Sequence, residues 1–131
     1  MRYLLDTHVL LWWVAAPARL SEAQREVVNA AGEQEPLLVS DISLWEIATL
    51  AALGRIRLEM PLRSWLEAAT APPLVERTGI TPAIAAEVAT LPASFHRDPA
   101  DRILVATARV LNATLLTADR RIAEAGLVTS G

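Results

Sequence analysis

The sequence contains no cysteine, which excludes disulfide bonds and thiolate metal sites. A chain without disulfides suits a reducing compartment, and we expect the cytoplasm. Long apolar runs are also missing: the longest, Val9 to Ala16, is far shorter than the roughly 20 residues of a transmembrane helix. Asp6 interrupts the N-terminal segment where a signal peptide needs its apolar centre. We therefore expect no membrane span and no signal peptide, and any metal must be bound through oxygen or nitrogen.

Lysine is absent too, so all twelve basic residues are arginine. Guanidinium groups pair well with phosphate oxygens, although a genome biased toward arginine codons is the simpler explanation. The net charge of −3 gives the chain no long-range attraction to a polyanion. Binding to nucleic acid would therefore depend on a bound cation or on a local arginine patch.

What the chain does have is a composition that folds. Its 131 residues are 53% apolar, which is enough for one domain, residues 1–131, with a hydrophobic core. Short apolar runs alternate with helical patterns, and this alternation predicts a central parallel sheet between two layers of helices, a three-layer α/β/α sandwich. The predicted strands are Tyr3–Leu5, Leu37–Val39, Leu74–Glu76, Ala113–Leu116 and Leu127–Val128.

Acidic residues follow several of these predicted strands. Asp6, Glu46 and Asp119 come just after strand ends or in the helix starts that follow, and Asp101 lies in the first turn of a helix that begins at Pro99. In α/β sheets, ligands bind beyond the carboxyl ends of the strands, so these four carboxylates should converge. Crowded carboxylates repel one another unless a cation lies between them, and oxygen ligands suit Mg²⁺ or Mn²⁺. The pattern predicts a metal site for phosphodiester hydrolysis.

Helix capping explains each acid separately. Asp119 can be an N-cap, Asp98 can cap a helix with Pro99 at its first position, and Ser43 with Glu46 forms a capping-box pattern. Capping gives no reason, however, for all of these acids to lie at one edge of one sheet. The set therefore favours a metal site.

Four blocks in this order resemble the PIN domain, and specifically the VapC-type toxin of a toxin–antitoxin module. They are residues 4–8, 43–47, 96–102 and 116–119, so the resemblance covers nearly the whole chain. It implies the PIN-like sandwich and an Mg²⁺- or Mn²⁺-dependent endoribonuclease that cleaves tRNA or ribosomal RNA. It also implies a VapB-type antitoxin that covers the active site, and a homodimer.

On this pattern, the metal-binding and catalytic acids are Asp6, Glu46, Asp101 and Asp119. Thr117 matches the small hydroxyl residue that supports the last acid. Asp98 lies three residues before Asp101 and is an alternative ligand from the same helix face.

Several further residues are weighed separately. We expect Thr7 to support Asp6, and Arg102 either to contact a phosphate or the antitoxin or to brace Asp101. His8 and His96 are expected to face solvent or to cap helices. Four tryptophans serve either as stacking platforms for bases or as core and interface residues: Trp12, Trp13, Trp45 and Trp65.

Other functions use the same residues. A phosphatase or a DNA flap nuclease would use the same pocket, although a dehalogenase-like phosphatase needs a second aspartate two residues after Asp6, where His8 stands. A non-catalytic module that binds RNA or an antitoxin is the third alternative. The presence of all four acids favours the nuclease.

Overall fold

The backbone alternates between strand and helix, and the computed structural model describes residues 2–95 and 97–131. The strands are β1 (Tyr3–Leu5), β2 (Leu37–Ser40), β3 (Val75–Thr78) and β4 (Thr114–Leu116). The helices are α1 (Thr7–Ala15), α2 (Glu22–Asn29), α3 (Asp41–Ala52), α4 (Leu62–Ala69), α5 (Pro82–Thr90), α6 (Pro99–Leu111) and α7 (Arg120–Ala125). In these ranges, no helix is long and apolar enough to cross a membrane.

The four strands form one parallel sheet in the order β3-β2-β1-β4. Leu4 of β1 pairs with Leu38 of β2 on one side and with Leu115 of β4 on the other. The chain therefore proceeds from β1 toward β3 in one direction and later adds β4 on the opposite side of β1. The reversal leaves a crevice beyond the carboxyl ends of β1 and β4, the place where open α/β sheets bind ligands.

Side chains on the two faces of the sheet pack into separate hydrophobic clusters. Leu5 and Leu116 belong to a cluster with Val9 of α1, whereas Leu4 and Leu115 belong to one on the other face. Successive residues of a strand point to opposite faces, so this alternation buries both sides of the sheet. Helices cover both clusters, which confirms the predicted three-layer α/β/α sandwich.

The helix starts agree only in part with the sequence patterns. Ser21 and Gln24 have the spacing of a capping box in the sequence, and both hydrogen bonds of that motif are present at the start of α2. The capping box predicted for Ser43 and Glu46 is wrong, because α3 begins at Asp41, where the Ser40 hydroxyl accepts from the backbone N–H of Ile42. Glu46 therefore lies beyond the first turn of α3.

The strand predicted at Leu127–Val128 is also wrong. These residues form a bend, their side chains pack against the cluster around Leu4, and the carbonyl of Leu127 accepts from Arg109. Pairing with β4 occurs slightly later, as an isolated parallel bridge between Leu115 and Ser130. Apolar side chains at this point serve the core and not a sheet ladder.

Candidate active site

A pocket of about 310 Å³ lies at the carboxyl ends of β1 and β4. All four acids predicted from the sequence line it, together with the alternative ligand Asp98. Its full lining is Asp6, His8, Trp12, Glu46, Asp98, Asp101, Ala118, Asp119 and Arg121. Five carboxylates from four separate segments of the sequence thus share one small volume.

Asp6 directly follows β1 and is held at both carboxylate oxygens. The backbone N–H of Thr7 donates to Oδ1 (2.7 Å), and the Thr117 hydroxyl donates to Oδ2 (2.7 Å). The same Thr117 oxygen accepts from the backbone N–H of Asp119 (3.0 Å). Because Thr117 follows β4, it links the ends of the two strands beside the crevice and fixes the direction of Asp6.

Asp6 is only 6% exposed, and this burial has an electrostatic consequence. Burial raises the pKa of Asp6, and the nearby charge of Asp119 raises it further. The hydrogen bonds from Thr117 and Thr7 lower the pKa and offset part of this effect. A nearby cation would stabilise the ionised form of a carboxylate that is buried in this way.

Glu46 reaches the pocket from α3 and is half-buried. Burial raises the pKa of Glu46, a hydrogen bond with the Thr7 side chain lowers it, and the charges of Asp98 and Asp6 raise it again. The Thr7 hydroxyl is also hydrogen-bonded to the buried Ser43 hydroxyl (3.0 Å). Thr7 therefore connects the start of α1 to α3 and lies between Asp6 and Glu46.

The start of α6 supplies two acids, one as its N-cap and one in its first turn. The Asp98 carboxylate accepts from the backbone N–H groups of Ala100 (2.9 Å) and Asp101 (3.4 Å), so it is the N-cap of the helix. Asp101 is buried within the first turn. Both line the pocket, and capping and a place in the pocket are therefore compatible for Asp98.

Asp119 is the N-cap of α7 and pairs with an arginine that sequence reasoning missed. Its carboxylate accepts from the backbone N–H of Arg121 (2.8 Å), and the Arg121 guanidinium donates to both carboxylate oxygens (3.4 Å and 3.1 Å). The available signal was an arginine two residues after a capping aspartate. Sequence alone did not indicate that its side chain would turn back toward the pocket.

Arg102 lies outside the pocket lining. Its guanidinium donates to the backbone carbonyls of Leu91 (3.4 Å), Pro92 (3.5 Å) and Phe95 (3.2 Å), and it lies over the Phe95 ring. These contacts hold the segment that connects α5 to α6. They favour a structural role for Arg102 over contact with a phosphate.

The histidines and tryptophans are placed differently from one another. His8 is exposed at the pocket, and its ring centroid is 6.2 Å from that of Trp12. The Arg19 guanidinium lies over the Trp12 ring, 4.7 Å from its centroid. Trp65 is buried in the core, and Trp45 is 59% exposed. Trp13 is partly buried and packs against the cluster that contains Leu5 and Val9. His96 lies outside the described residues.

The chemistry of the donor set fits a hard divalent cation. The pocket offers carboxylate oxygens and no thiol, and its buried Asp6 carboxylate is unfavourable without a compensating charge. Within residues 2–95 and 97–131, however, no group of three or more His, Asp or Glu side chains is already arranged to hold a metal ion. The Asp119 carboxylate is directed to Arg121 instead.

Comparison with known proteins places this geometry in a family. The family model of the PIN domain matches residues 3–127. The chain is 45% identical over 119 residues to Ribonuclease VapC22 of Mycobacterium tuberculosis (strain ATCC 25618 / H37Rv), covering 91% of this chain and 88% of that protein.

Two solved structures have a similar fold at low sequence identity. VapBC2 from Rickettsia felis, bound to a DNA fragment from its promoter, aligns with a TM-score of 0.75 and 14% identity, over 100% of this chain and 98% of that chain. DNA-bound VapBC from Salmonella typhimurium aligns with a TM-score of 0.72 and 17% identity, over 100% of this chain and 97% of that chain. With the family match over almost the whole sequence, the chain belongs to the PIN domain family.

Proposed function

We propose that this protein is a Mg²⁺- or Mn²⁺-dependent endoribonuclease that acts as the toxin of a toxin–antitoxin module. The observation that carries the proposal is the pocket at the β1–β4 crevice, where five carboxylates meet and Asp6 is buried. The 45% identity to a protein named as a ribonuclease supports RNA as the substrate. We expect tRNA or ribosomal RNA.

In this proposal Asp6, Glu46, Asp101 and Asp119 hold the metal ion. When bound, the ion supplies positive charge to the phosphate and makes a nearby water molecule more acidic. Asp98 caps α6 and adds negative charge beside Glu46.

The two threonines position these acids. Thr117 restrains Asp6 and the backbone of Asp119, and Thr7 connects Asp6, Ser43 and Glu46. Hydrogen bonds of this kind orient ligand side chains and typically affect metal affinity or activity by about 10- to 100-fold. Hydrolysis then requires a phosphate to enter the pocket: water attacks the phosphorus, the bond to the leaving oxygen breaks, and the proton that the water loses passes to the leaving oxygen.

We also propose that a VapB-type antitoxin inhibits the protein and that the protein forms a homodimer in the cytoplasm. Solved structures with this fold are described as VapBC complexes, which supports an antitoxin partner. Light scattering of the purified protein measures the dimer: a mass of two chains is expected, and a mass of one chain would contradict it.

The substrate is tested by presenting RNA, single-stranded DNA and a phosphomonoester to the protein under identical conditions with Mn²⁺. Internal cleavage of RNA with little turnover of the other two is expected. A preference for the monoester would replace the proposal with a phosphatase, and a preference for DNA with a DNA nuclease. Binding of RNA without cleavage of any substrate would favour a non-catalytic module.

The toxin role is tested by expression in a bacterial host. The wild-type chain should arrest growth, and Asp6→Ala should remove the arrest at equal expression. If the Asp6→Ala variant arrests growth as strongly as the wild type, the protein is not a toxin that acts through this pocket.

A further inference from the structure

Arg121 is a cation inside an otherwise acidic pocket. Among the arginines that the structure describes, it alone lines the pocket, beside five carboxylates. Neither the sequence patterns nor the comparisons assign it a role. A pocket that must accept a polyanionic substrate needs positive charge at its entrance, and this chain has a net charge of −3.

The contact between Arg121 and Asp119 is a two-point ion pair near the surface. The guanidinium donates to both oxygens of Asp119, and the two side chains are 67% and 25% exposed. The guanidinium of an arginine is charged at physiological pH with or without such a contact. An ion pair with this exposure contributes little net stability, and its arginine can change partner at small cost.

We propose that Arg121 is a phosphate-binding residue that exchanges the Asp119 carboxylate for a phosphate oxygen of the RNA when a divalent cation binds Asp119. The inference rests on the proposed function, because it assigns a role to Arg121 in the same pocket.

The exchange follows from competition between two cations for one carboxylate. A divalent ion at Asp119 would repel the guanidinium and compete with it for the carboxylate lone pairs, which weakens the ion pair. Arg121 then lies at the edge of the pocket with its paired N–H groups available, and these groups match the oxygens of a phosphate. The Asp119 carboxylate faces Arg121 in this structure, so it is the partner for which the two cations would compete.

The experiment compares four full-length proteins: wild type, Arg121→Gln, Arg121→Lys and Arg120→Gln. Arg120 is the adjacent exposed arginine of α7 and does not line the pocket, so Arg120→Gln is the matched control for loss of one charge. Mn²⁺ affinity is measured by calorimetry. RNA affinity is measured by fluorescence anisotropy of a short labelled single-stranded RNA, with Ca²⁺ in place of Mn²⁺ to slow cleavage.

Opposite effects on the two ligands are expected for Arg121→Gln. Mn²⁺ should bind about threefold or more tightly, because the competing cation is gone, and RNA should bind about tenfold more weakly, the usual scale for a charge-assisted hydrogen bond. Arg121→Lys should lose part of the RNA affinity, since it keeps the charge without the paired donors. Arg120→Gln should change both affinities by less than about twofold.

Weaker Mn²⁺ binding by Arg121→Gln would mean that Arg121 only holds Asp119 in place, and would overturn the proposal. Unchanged RNA affinity would overturn it as well. Failure of the proposed function is a separate result: the wild-type protein would leave RNA intact in Mn²⁺, whatever the effects of Arg121→Gln on binding.

Discussion

Thr117 is the residue on which the arrangement of the acids depends most. Its hydroxyl donates to Asp6 and accepts from the backbone of Asp119. Thr117→Val keeps the shape and removes both hydrogen bonds, so we expect RNA cleavage to fall about 10- to 100-fold and the free energy of unfolding to fall by about 1–2 kcal/mol. Thr114→Val makes the same change at the other end of β4 and should leave cleavage unchanged. Equal cleavage by wild type and Thr117→Val would contradict a positioning role.

We expect the ionised Asp6 carboxylate to lower the free energy of unfolding, although the proposed metal site needs it. Because burial raises its pKa in the folded state, the ionised carboxylate is less favourable there than in the unfolded chain. This penalty is present above the folded pKa and is relieved as the pH falls below it. Asp6→Asn should therefore unfold at a higher temperature than wild type at pH 7 in EDTA, and the difference should narrow toward acid pH.

Thermal unfolding monitored by circular dichroism measures this effect. Asp41→Asn is a suitable control, since Asp41 follows β2 at the same edge of the sheet but forms an exposed ion pair with Arg77 (2.9 Å). It should leave the unfolding temperature unchanged or slightly lower. An Asp6→Asn protein that is less stable than wild type at pH 7 would show that the hydrogen bonds outweigh burial.

At the level of residues, the sequence indicated the acids better than the groups around them. Three of the four acids were predicted from their positions after strands and Asp101 from the first turn of a helix, and the structure places all four at one pocket. Arg121 was missed because the direction of an exposed arginine depends on its local surroundings. The sequence around Gln24 indicates only a capping box, whereas the side-chain amide also donates to the carbonyl of Thr117 (3.3 Å), a contact between residues 93 positions apart.

Asp98 and Asp101 at the start of α6 are alternative metal ligands, and Asp98 is also the N-cap of this helix. Asp98→Asn keeps a capping side chain, whereas Asp98→Ala removes it and should lower the free energy of unfolding by about 1 kcal/mol. If Asp101 is the principal ligand, Asp98→Asn should retain Mn²⁺ affinity within about threefold while Asp101→Asn loses at least tenfold. Calorimetry on the three variants measures this. A greater loss for Asp98→Asn than for Asp101→Asn would reverse the assignment.

The elements themselves follow the sequence where one local signal dominates. The capping box of α2, Thr81 before α5 and Asp98 before α6 all mark helix starts that the structure contains. The start of α3 was placed too late because Ser40 and Ser43 both offer a capping hydroxyl. Leu127–Val128 has the composition of a strand, but its carbonyl and side chains are used by α6 and the core.

For the whole molecule, alternation of strands and helices was enough to predict a parallel sheet but not its order. The order β3-β2-β1-β4 depends on which strands pack side by side after long connections, and periodicity within one strand carries no such information. This order is what puts Asp6 and Asp119 on either side of the crevice. The fold class was thus accessible from the sequence, and the close environment of the acids was not.

The central claim is that this pocket uses a divalent cation to cleave RNA. The most direct test is the rate of RNA cleavage as Mn²⁺ is titrated into EDTA-treated protein, for wild type and Asp6→Asn side by side. We predict a saturable dependence on Mn²⁺ for wild type and a rate lower by at least about 100-fold for Asp6→Asn, since loss of a ligand should exceed loss of a supporting hydrogen bond. Undiminished cleavage by wild type in EDTA, or by Asp6→Asn in Mn²⁺, would contradict it.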